Sequence, residues 1–487
     1  MQDTVLIVGY DFSLAGLIAR SLRLQQVYAR QLPGDISARE LLRQKPCGII
    51  LAMDQRSDTP PALPDPAIWE AGIPVLALGK LAVALAVHFG GESLDCLPSS
   101  HAITLGLSES PLFTDILGGE RVLHDLTCLS LPEALAPLAT ATEQPIGFQH
   151  PSLPLYGLQY PIEHNDPDAA RLLFNFATRI CGGSADWDEH RMIQQAVEKI
   201  RLAAGEDGAI CAVSGGVDSI VCAKLAHMAL GDRLRCVFVD TGLLRRGDGE
   251  AALRVCEEHL QFPVVRVDAQ DLFLRAMAGV DNPTEKEKIS ISLLQRIFHR
   301  QLAEDPSQKT LLLGSDFNDT LHAFHLLSKG SGNMPEGAGC KTLEPLSDLY
   351  KEDVRRLGAA LSLPASVVNQ QSFPASGLAL RIMGEVTAQR LALLRAADAL
   401  FVEEITEGGH EKRLWKYHAT LLEAPEKPGF YAIVLRALQA TQGSAYAARL
   451  PFDLLERVTS RILVQIPEIC RVVYDLTPNM DYIDLES

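Results

Sequence analysis

The amino-acid sequence predicts an α/β protein with two doubly wound parallel-sheet domains and a small α+β domain at its C-terminal end. The 487 residues exceed the roughly 250 to 300 at which a single hydrophobic core stops growing. Short apolar runs alternate with helix-length segments in two separate stretches, and the final stretch lacks that alternation. A content of 47% hydrophobic and 22% charged residues is typical of globular domains.

The first stretch, residues 1–183, opens with an apolar run at 5–9 that precedes a helix-length segment. Further apolar runs at 47–52 and 74–78 repeat the pattern, and a helical segment follows the last of them. A strand, a helix and a second strand in succession form a parallel βαβ unit. We therefore expect a parallel sheet with helices on both faces.

A second domain is expected over residues 184–381. A polar break rich in Gly, Ser and Asp at 182–188 leads into a periodic helical segment. The strands of a second parallel sheet are then supplied by GAICAV, RCVFVD, PVVRVDA and TLLLGS. Residues 382–487 differ, because their helical segments are followed by two strand candidates that enclose one more helix. This last part is predicted to be a small α+β domain.

Charge and composition exclude several classes of function. The chain has 44 Lys and Arg against 61 Asp and Glu, a formal net charge of −17, so no nucleic-acid partner is expected. No apolar run reaches the roughly 18 residues of a membrane span, and the first residues lack a signal-peptide pattern. We expect a cytoplasmic protein with no membrane partner. The ten cysteines include no Cys-x-x-Cys pair, which argues against a disulfide framework or a zinc site.

The most informative segment is the hexapeptide 214–219, SGGVDS, which lies between the strand GAICAV and a helical run. Small residues let backbone N–H groups approach a phosphate closely, and a helix N-terminus adds a positive field. Asp218 would repel a phosphate unless a divalent cation lay between them, so it predicts a metal, Mg²⁺, bound together with ATP. The alternative is an ordinary strand-to-helix turn in which a serine caps the helix.

The hexapeptide is the signature of the N-type ATP pyrophosphatases, and later segments narrow the resemblance. Five segments of this chain resemble motifs in the synthetase half of the GMP synthetases and keep their order and approximate spacing. These segments are residues 236–245, 281–289, 343–355, 376–387 and 456–476. With the N-terminal part included, the similarity is nearly full-length. The chain is therefore identified as a divergent member of the glutamine-hydrolysing GMP synthetase family.

The resemblance implies roles for residues of the second domain. The loop that would grip the pyrophosphate of ATP consists of Ser214, Gly215, Gly216, Val217, Asp218 and Ser219. Val239 would lie beside the adenine, and Lys351 would contact a phosphate. Asp319 matches an aspartate of the family's lid, and Asp218, Ser219 and Lys351 complete the predicted catalytic set. Two alternatives stay open, with Lys351 as a solvated charge at a helix start and Asp319 as a helix cap.

The resemblance also implies a reaction and an assembly. In this family a carbonyl oxygen of the substrate attacks the α-phosphate of ATP, pyrophosphate leaves, and ammonia then displaces AMP. The C-terminal segment of the family carries dimer contacts, and its motifs ERVTSRI and RVVYDL are kept here. We therefore expect a homodimer that uses ATP and Mg²⁺.

Residues 1–183 resemble a class I glutamine amidotransferase whose catalytic positions have changed. Such an enzyme needs a Cys on a sharp strand-to-helix elbow, a His that activates it and a Glu that orients the His. Gly79 stands at the position of the Cys and Pro161 at that of the His, while Glu163 is retained. The oxyanion turn is also lost. The sequence predicts a degenerate domain without glutaminase activity. The neighbouring His164 is not expected to replace the lost His, because successive residues at a strand end point in different directions.

The acceptor side differs from the family as well. His322 replaces a Glu of the lid, and residues 328–333 replace its His-His-Asn segment. Residues 477–480 read TPNM where a Lys-Pro-Pro would hold the nucleotide phosphate, and each lost cation removes a charge-assisted contact. Arg381 is kept where the family places an Arg near its substrate, unless it is only a surface charge. His322 and Arg381 are thus the predicted acceptor-binding residues.

These observations lead to one prediction and two alternatives. The prediction is a GMP-synthetase-like ATP pyrophosphatase ligase that adenylates a small purine-like or otherwise specialised acceptor. Ammonia or another nucleophile, free or delivered by an ammonia-donating partner, would then displace AMP. The alternatives are an ammonia-dependent GMP synthetase acting on xanthosine monophosphate (XMP) and a nucleotide-binding pseudoenzyme that serves as a regulatory scaffold. His322 and His325 could share a metal by their spacing, but without a carboxylate or cysteine partner they are expected to line the pocket. Cys340 could be a reactive thiol, but a lone loop cysteine is usually incidental.

Overall fold

The computed structural model describes eleven stretches of the chain, namely residues 3–57, 63–96, 102–122, 126–163, 166–260, 263–317, 319, 341–369, 376–425, 427–441 and 444–477. By its internal contacts the chain divides into two compact units, residues 1–191 and 192–487. The finer division into three domains, with boundaries after residues 183 and 381, stays a prediction.

The strands of the first unit lie at β1 (Val5–Gly9), β2 (Ala29–Pro33), β3 (Gly48–Met53), β4 (Val75–Gly79), β5 (Glu92–Cys96), β6 (Ala102–Leu107), β7 (Gly119–Val122), β8 (Thr127–Ser130), β9 (Ala136–Ala141), β10 (Gln144–Gln149) and β11 (Leu155–Leu158). Those of the second unit lie at β12 (Gly208–Val213), β13 (Leu234–Asp240), β14 (Val264–Asp268), β15 (Gln308–Leu312), β16 (Lys341–Leu343), β17 (Lys416–Glu423), β18 (Tyr431–Thr441), β19 (Ser444–Ala447) and β20 (Ile469–Tyr474).

The α-helices are α1 (Phe12–Leu24), α2 (Ala38–Arg43), α3 (Ala67–Glu70), α4 (Lys80–His88), α5 (Pro167–Asn175), α6 (Glu189–Ala204), α7 (Val217–Leu230), α8 (Asp248–Val255), α9 (Gln270–Ala276), α10 (Pro283–Glu304), α11 (Lys351–Ala360), α12 (Ala365–Val368), α13 (Ala388–Glu407) and α14 (Phe452–Gln465). Short 3₁₀ turns lie at Pro111–Phe113, Gly231–Arg233, Gly377–Arg381 and Glu411–Arg413, and π turns at Phe176–Ile180 and Cys256–Leu260. Within the described residues, no helix combines the length and the apolar character that a membrane span needs.

The first unit is built on a nine-stranded sheet in the order β2-β1-β3-β4-β11-β10-β9-β6-β7. Pairing is parallel from β2 to β11 and antiparallel beyond it. Every residue of β3, sequence GIILAM, is buried, as expected of a strand covered on both faces of a parallel sheet. The apolar runs near the N-terminus therefore form the parallel strands that the sequence predicts.

The second unit contains a five-stranded, all-parallel sheet in the order β14-β13-β12-β15-β16. The central strand β12 has β13 on one side and β15 on the other. Because the carboxyl ends of parallel strands meet at one edge of a sheet, this order brings together the segments that follow β12 and β15. The candidate site lies at this edge.

The C-terminal part of the second unit is a four-stranded sheet in which β17, β18 and β19 pair antiparallel and β20 runs parallel to β18. One continuous hydrophobic cluster includes Val237 of the five-stranded sheet and Ile433 of the four-stranded sheet. One mixed sheet with a parallel half, one all-parallel sheet and an α+β C-terminal part confirm the predicted α/β fold class, while the antiparallel half of the first sheet was not predicted.

Candidate functional site

The hexapeptide forms a tight turn between the buried strand β12 and the helix α7. Gly215 has a φ of +90°, and a Cβ placed on it would lie 2.2 Å from the Cβ of Ala252. A side chain is thus excluded both by the backbone conformation and by space. Gly216 is the N-cap of α7 and no side chain caps the helix, so the alternative of a serine-capped turn is wrong.

Two serine hydroxyls hold the turn together. The Ser219 Oγ donates to the carbonyl oxygen of Gly216 at 2.9 Å and accepts from the backbone N–H of Ser214 at 3.1 Å. The Ser214 Oγ donates to the Ser219 Oγ at 3.1 Å. With these bonds made inside the loop, Ser219 acts first on the shape of the loop, and the helix N-terminus behind it supplies the positive field that suits an anion.

Lys351, the first residue of α11, bridges two carboxylates at this turn. Its Nζ lies 2.8 Å from the Oδ2 of Asp218 and 3.0 Å from the Oδ2 of Asp316. The Lys351 side chain is only 13% exposed, so the alternative of a solvated charge at a helix start does not fit. The structure therefore brings the predicted Lys351 and Asp218 into direct contact.

Asp319 joins this cluster through Asp316. The Oδ2 of Asp319 accepts from the backbone N–H of Asp316 at 3.2 Å, and the Oδ1 of Asp316 accepts from the N–H of Asp319 at 3.0 Å. This reciprocal pair has the pattern of a capping box. The capping alternative and the site role of Asp319 thus describe the same position, since capping keeps its carboxylate beside the cluster.

The charges of the cluster shift one another's pKa values. Burial, and then the neighbouring Asp316 carboxylate, raise the pKa of Asp319 to about 7. Burial also raises the pKa of Asp218, although Lys351 opposes that shift. Burial alone would lower the pKa of the Lys351 ammonium, but the three carboxylates outweigh it and hold that pKa above its usual value. Lys351 is therefore a permanent cation in a cluster of titratable carboxylates.

The cluster fits a divalent cation in one respect. The Oδ1 of Asp218 is buried and has no hydrogen-bond partner among the described residues. Within those residues no set of three His, Cys, Asp or Glu side chains has metal-ligand geometry. A cation at Asp218 would therefore take most of its ligands from phosphate oxygens and water, as Mg²⁺ usually does.

The predicted adenine and acceptor residues lie at other places in the second unit. Val239 is near the end of β13, beside the strand that precedes the loop. Arg381 is 5% exposed, which excludes the surface-charge alternative, and its Nη1 lies 3.7 Å from the Oδ1 of Asp398. The Nε of Arg245 lies 2.8 Å from the Oδ2 of the same Asp398. Arg381 thus belongs to a buried cluster of two guanidiniums around one carboxylate.

Several predicted residues lie outside the described part of the chain. These are His322, His325, Cys340, the segment 328–333 and His164.

In the first unit, the elbow between β4 and α4 keeps a strained backbone without a side chain. Gly79 has φ +64° and ψ −133°, and a Cβ placed on it would lie 1.9 Å from the carbonyl oxygen of Met53. The turn after β3 therefore occupies the space that a nucleophile would need. Pro161 is half-buried and has no side chain that could act as a base, and Glu163 is exposed.

Beside this elbow, amide groups fill the polar positions. The Gln55 Nε2 donates to the Oε1 of Gln159 at 2.5 Å, and the Gln159 Nε2 donates to the carbonyl oxygen of Thr127 at 2.6 Å. The N–H of Thr127 donates back to the Gln159 Oε1 at 2.9 Å. These bonds bind the turn after β3 to the strands around it.

Known proteins with similar sequences show the family to which this chain belongs. GMP synthases described as glutamine-hydrolysing, from Bacillus cytotoxicus and Carboxydothermus hydrogenoformans, are each 32% identical to this chain over 98% of its length, and 97% and 98% of their own lengths are covered. The chain belongs to the GMP synthase family. This confirms the resemblance found in the sequence, and it makes the chain a GMP-synthase-like ligase of the ATP pyrophosphatase type, with ATP as a substrate.

Two family models match parts of this chain. The NAD synthase model covers residues 189–316, which include the phosphate loop, and the model of the GMP synthase C-terminal domain covers residues 403–480. A crystal structure assigned to a GMP synthase component from Thermoplasma acidophilum matches 40% of this chain and 98% of its own, at 20% identity and a TM-score of 0.30. That similarity is too low to support an argument.

Two residues of the site were not assigned roles from the sequence. Asp316 is fully buried and shares Lys351 with Asp218. Gly314 packs so closely on α7 that a Cβ there would lie 2.9 Å from the backbone of Asp218. A signal for both was present, since they follow β15 directly and that strand is a neighbour of β12 in the predicted parallel sheet.

Proposed function

We propose that this chain is a ligase that uses ATP and Mg²⁺ to adenylate a carbonyl oxygen of a small purine-like or otherwise specialised metabolite. Ammonia or another nucleophile, free or delivered by a partner, then displaces AMP. The observation that carries the proposal is the phosphate loop with Lys351 held between Asp218 and Asp316. The position of this cation beside the turn at 214–219, rather than its burial alone, is what a ligase would require.

The reaction balances in two steps. The acceptor's carbonyl oxygen forms a bond to the α-phosphorus of ATP, and the bond from that phosphorus to the bridging oxygen breaks, so that pyrophosphate leaves. The nucleophile then forms a bond to the former carbonyl carbon, AMP leaves with the oxygen, and a proton of the nucleophile is released.

The residues of the cluster have distinct parts in this proposal. The turn at 214–219 receives the departing pyrophosphate through backbone N–H groups. Lys351 offsets the negative charge that develops on the phosphates. Asp218 offers its unpartnered oxygen to Mg²⁺, which when bound neutralises phosphate charge. Asp319, with a pKa of about 7, is placed to exchange a proton near neutral pH.

We also propose that the first unit hydrolyses no glutamine. The support is the elbow, where the nucleophile is replaced by Gly79 and a Cβ would collide with Met53. A thioester intermediate needs a nucleophile with an activating base, and Pro161 offers no base. Ammonia must then come from solution or from another protein.

Three further features belong to the proposal. The chain is organised as an amidotransferase-like domain at 1–183, an ATP pyrophosphatase domain at 184–381 and a dimerisation domain at 382–487. It forms a homodimer through the last of these, which is supported by the match to the GMP synthase C-terminal domain. The acceptor contacts Arg381 and His322.

A second candidate is ammonia-dependent amination of XMP to GMP. The observation in its favour is the 32% identity to GMP synthases over nearly the whole chain. The changed residues of the acceptor side, above all the loss of cations, favour a different acceptor.

The deciding experiment measures pyrophosphate release from ATP and Mg²⁺ in the presence of ammonium. XMP and a panel of purine-like carbonyl compounds are offered separately, and glutamine replaces ammonium in parallel. Pyrophosphate release with a compound other than XMP supports the proposal, and release with XMP as the only active compound supports the second candidate. Release when glutamine replaces ammonium refutes the loss of glutaminase activity. If ATP binds and nothing in the panel supports release, the pseudoenzyme is favoured. The matched control is Lys351→Met, which should abolish release.

A further inference from the structure

Lys286, in α10, is a fully buried lysine outside the phosphate cluster. Its Nζ donates to the carbonyl oxygens of Ile382 at 2.7 Å, Gly384 at 2.6 Å and Ala379 at 3.4 Å. An ammonium has three hydrogens and accepts no hydrogen bond. Three carbonyls therefore satisfy it completely. Burial, which removes water from the charged form, lowers the pKa of Lys286, Asp281 opposes that shift and the Arg390 cation adds to it.

The three carbonyls lie on both sides of Arg381. One belongs to the 3₁₀ turn Gly377–Arg381, and two belong to the bend that follows it. Backbone carbonyls in such a segment lack the repeating partners of a long helix or a sheet. A single ammonium that gathers all three fixes the backbone before and after residue 381.

Backbone hydrogen bonds join both ends of this turn to other segments of the chain. The N–H of Leu378 donates to the carbonyl oxygen of Leu243 at 2.8 Å, and the N–H of Met383 donates to that of Leu421 at 2.8 Å. Gly377 has a φ of +59°, and a Cβ on it would lie 2.3 Å from the same Leu243 oxygen. The turn is therefore docked at both ends against other segments, and its middle carries Arg381.

The Arg381 guanidinium lies in a buried cluster of charged groups. It shares Asp398 with Arg245, and the Oδ1 of Asp398 also accepts the N–H of Ala419 at 2.8 Å. Asp248 is a second carboxylate that interacts electrostatically with both guanidiniums, so the direction of the Arg381 guanidinium among these charges depends on the position of the turn. A methionine at residue 286 would fill the same volume but leave the carbonyls of Ile382 and Gly384 without this donor, while that of Ala379 would keep only the Ile382 N–H at 3.4 Å.

We infer that Lys286 is a positioning residue, which holds the turn 377–384 so that the Arg381 guanidinium stays oriented toward the acceptor. This inference rests on the proposed function, because it takes the acceptor-binding role of Arg381 from there. Lys286 itself contacts no reactant.

The test is a double-mutant cycle with Lys286→Met, Arg381→Met and the double variant, measured with whichever compound of the panel supports pyrophosphate release. Lys286→Met should raise the KM for the acceptor by about tenfold or more and leave the KM for ATP within about twofold, and it should add little to Arg381→Met. Lys288→Met is the matched control, since Lys288 lies on the same helix and is exposed. Independent, multiplying effects of the two substitutions would overturn the inference, as would an equal rise in the KM for ATP.

A second measurement needs no acceptor. Amide hydrogen exchange is followed in the full-length protein for the wild type, Lys286→Met and the milder Lys286→Gln, which keeps one amide donor. We expect the amides of Leu378 and Met383 to exchange about tenfold faster or more, while those of the phosphate loop 214–219 are unchanged. Unchanged exchange at both amides, or acceleration throughout the second unit, would overturn the inference. A wild type that releases no pyrophosphate with any compound refutes the proposed function instead, and the exchange result still decides whether Lys286 holds the turn.

Discussion

Replacing Lys351 by Met removes the cation between two buried carboxylates. The Asp218 side chain is 20% exposed and that of Asp316 is 1% exposed, so little water reaches the two carboxylates in place of the ammonium. Removing one partner of a buried ion pair costs about 3 to 5 kcal/mol. For a unit of this size that corresponds to a melting temperature lower by about 6 °C or more.

The loss should depend on pH. Without Lys351 the carboxylates repel one another, and the pKa values of Asp218 and Asp319, which burial already raises, rise further. A raised carboxylate pKa stabilises the folded state at low pH, and that contribution is lost as pH rises through the folded-state pKa. We therefore expect Lys351→Met to unfold at a clearly lower temperature at pH 8 than at pH 6.

Thermal unfolding followed by circular dichroism at both pH values measures this effect. The matched control is Lys309→Met, because the Nζ of Lys309 lies 2.9 Å from Asp207 while both side chains are more than two-fifths exposed. Such surface pairs contribute little, so the control should melt with the wild type. The reasoning is refuted if Lys351→Met melts with the control at pH 8, or if its loss of stability is the same at both pH values.

Three further predictions concern the elbow, the titration of the cluster and the metal. Gly79→Cys should restore no glutaminase activity and should lower the melting temperature more than Gly90→Cys, whose φ of +96° is also positive but whose Cβ would meet nothing within 4 Å; equal melting temperatures would contradict the clash with Met53. The pKa of Asp319 is raised to about 7, so its contribution to stability is present below about pH 4 and is lost as pH rises through about 7. Asp319→Asn should therefore flatten the pH dependence of the melting temperature between pH 5 and 8. An unchanged pH profile would contradict that titration. Asp218→Asn should raise the Kd of ATP measured by calorimetry with Mg²⁺ by about tenfold, and should reduce the dependence of binding on Mg²⁺; binding that is equally Mg²⁺-dependent in the variant would place the cation elsewhere.

Much of the second unit follows from local sequence. The phosphate loop could be located because six adjacent residues lie between a continuous apolar run and a helical run, and both features are visible without tertiary information. The parallel strands near the N-terminus could be located for the same reason. The prediction that the amidotransferase nucleophile is lost rests on Gly79 at the elbow, a single position that can be read without tertiary information.

Other parts of the site depend on pairings between distant segments. Lys351 and Asp218 are 133 residues apart, and the role of Asp316 becomes visible only when β15 lies beside β12. The three carbonyls that Lys286 binds are more than ninety residues away. No periodicity of the chain encodes such contacts.

The sequence by itself determined the α/β fold class, the position of the hexapeptide 214–219 between a strand and a helix, and the absence of a side chain at the elbow residue Gly79, because these depend on residue type and local order. Only the tertiary structure decided that Lys351 is shared by two carboxylates, that Arg381 is buried against Asp398, and that Met53 closes the space beside Gly79. The physical reason is that burial and charge pairing depend on which strands become neighbours, and neighbours in a parallel sheet are joined by long crossover connections.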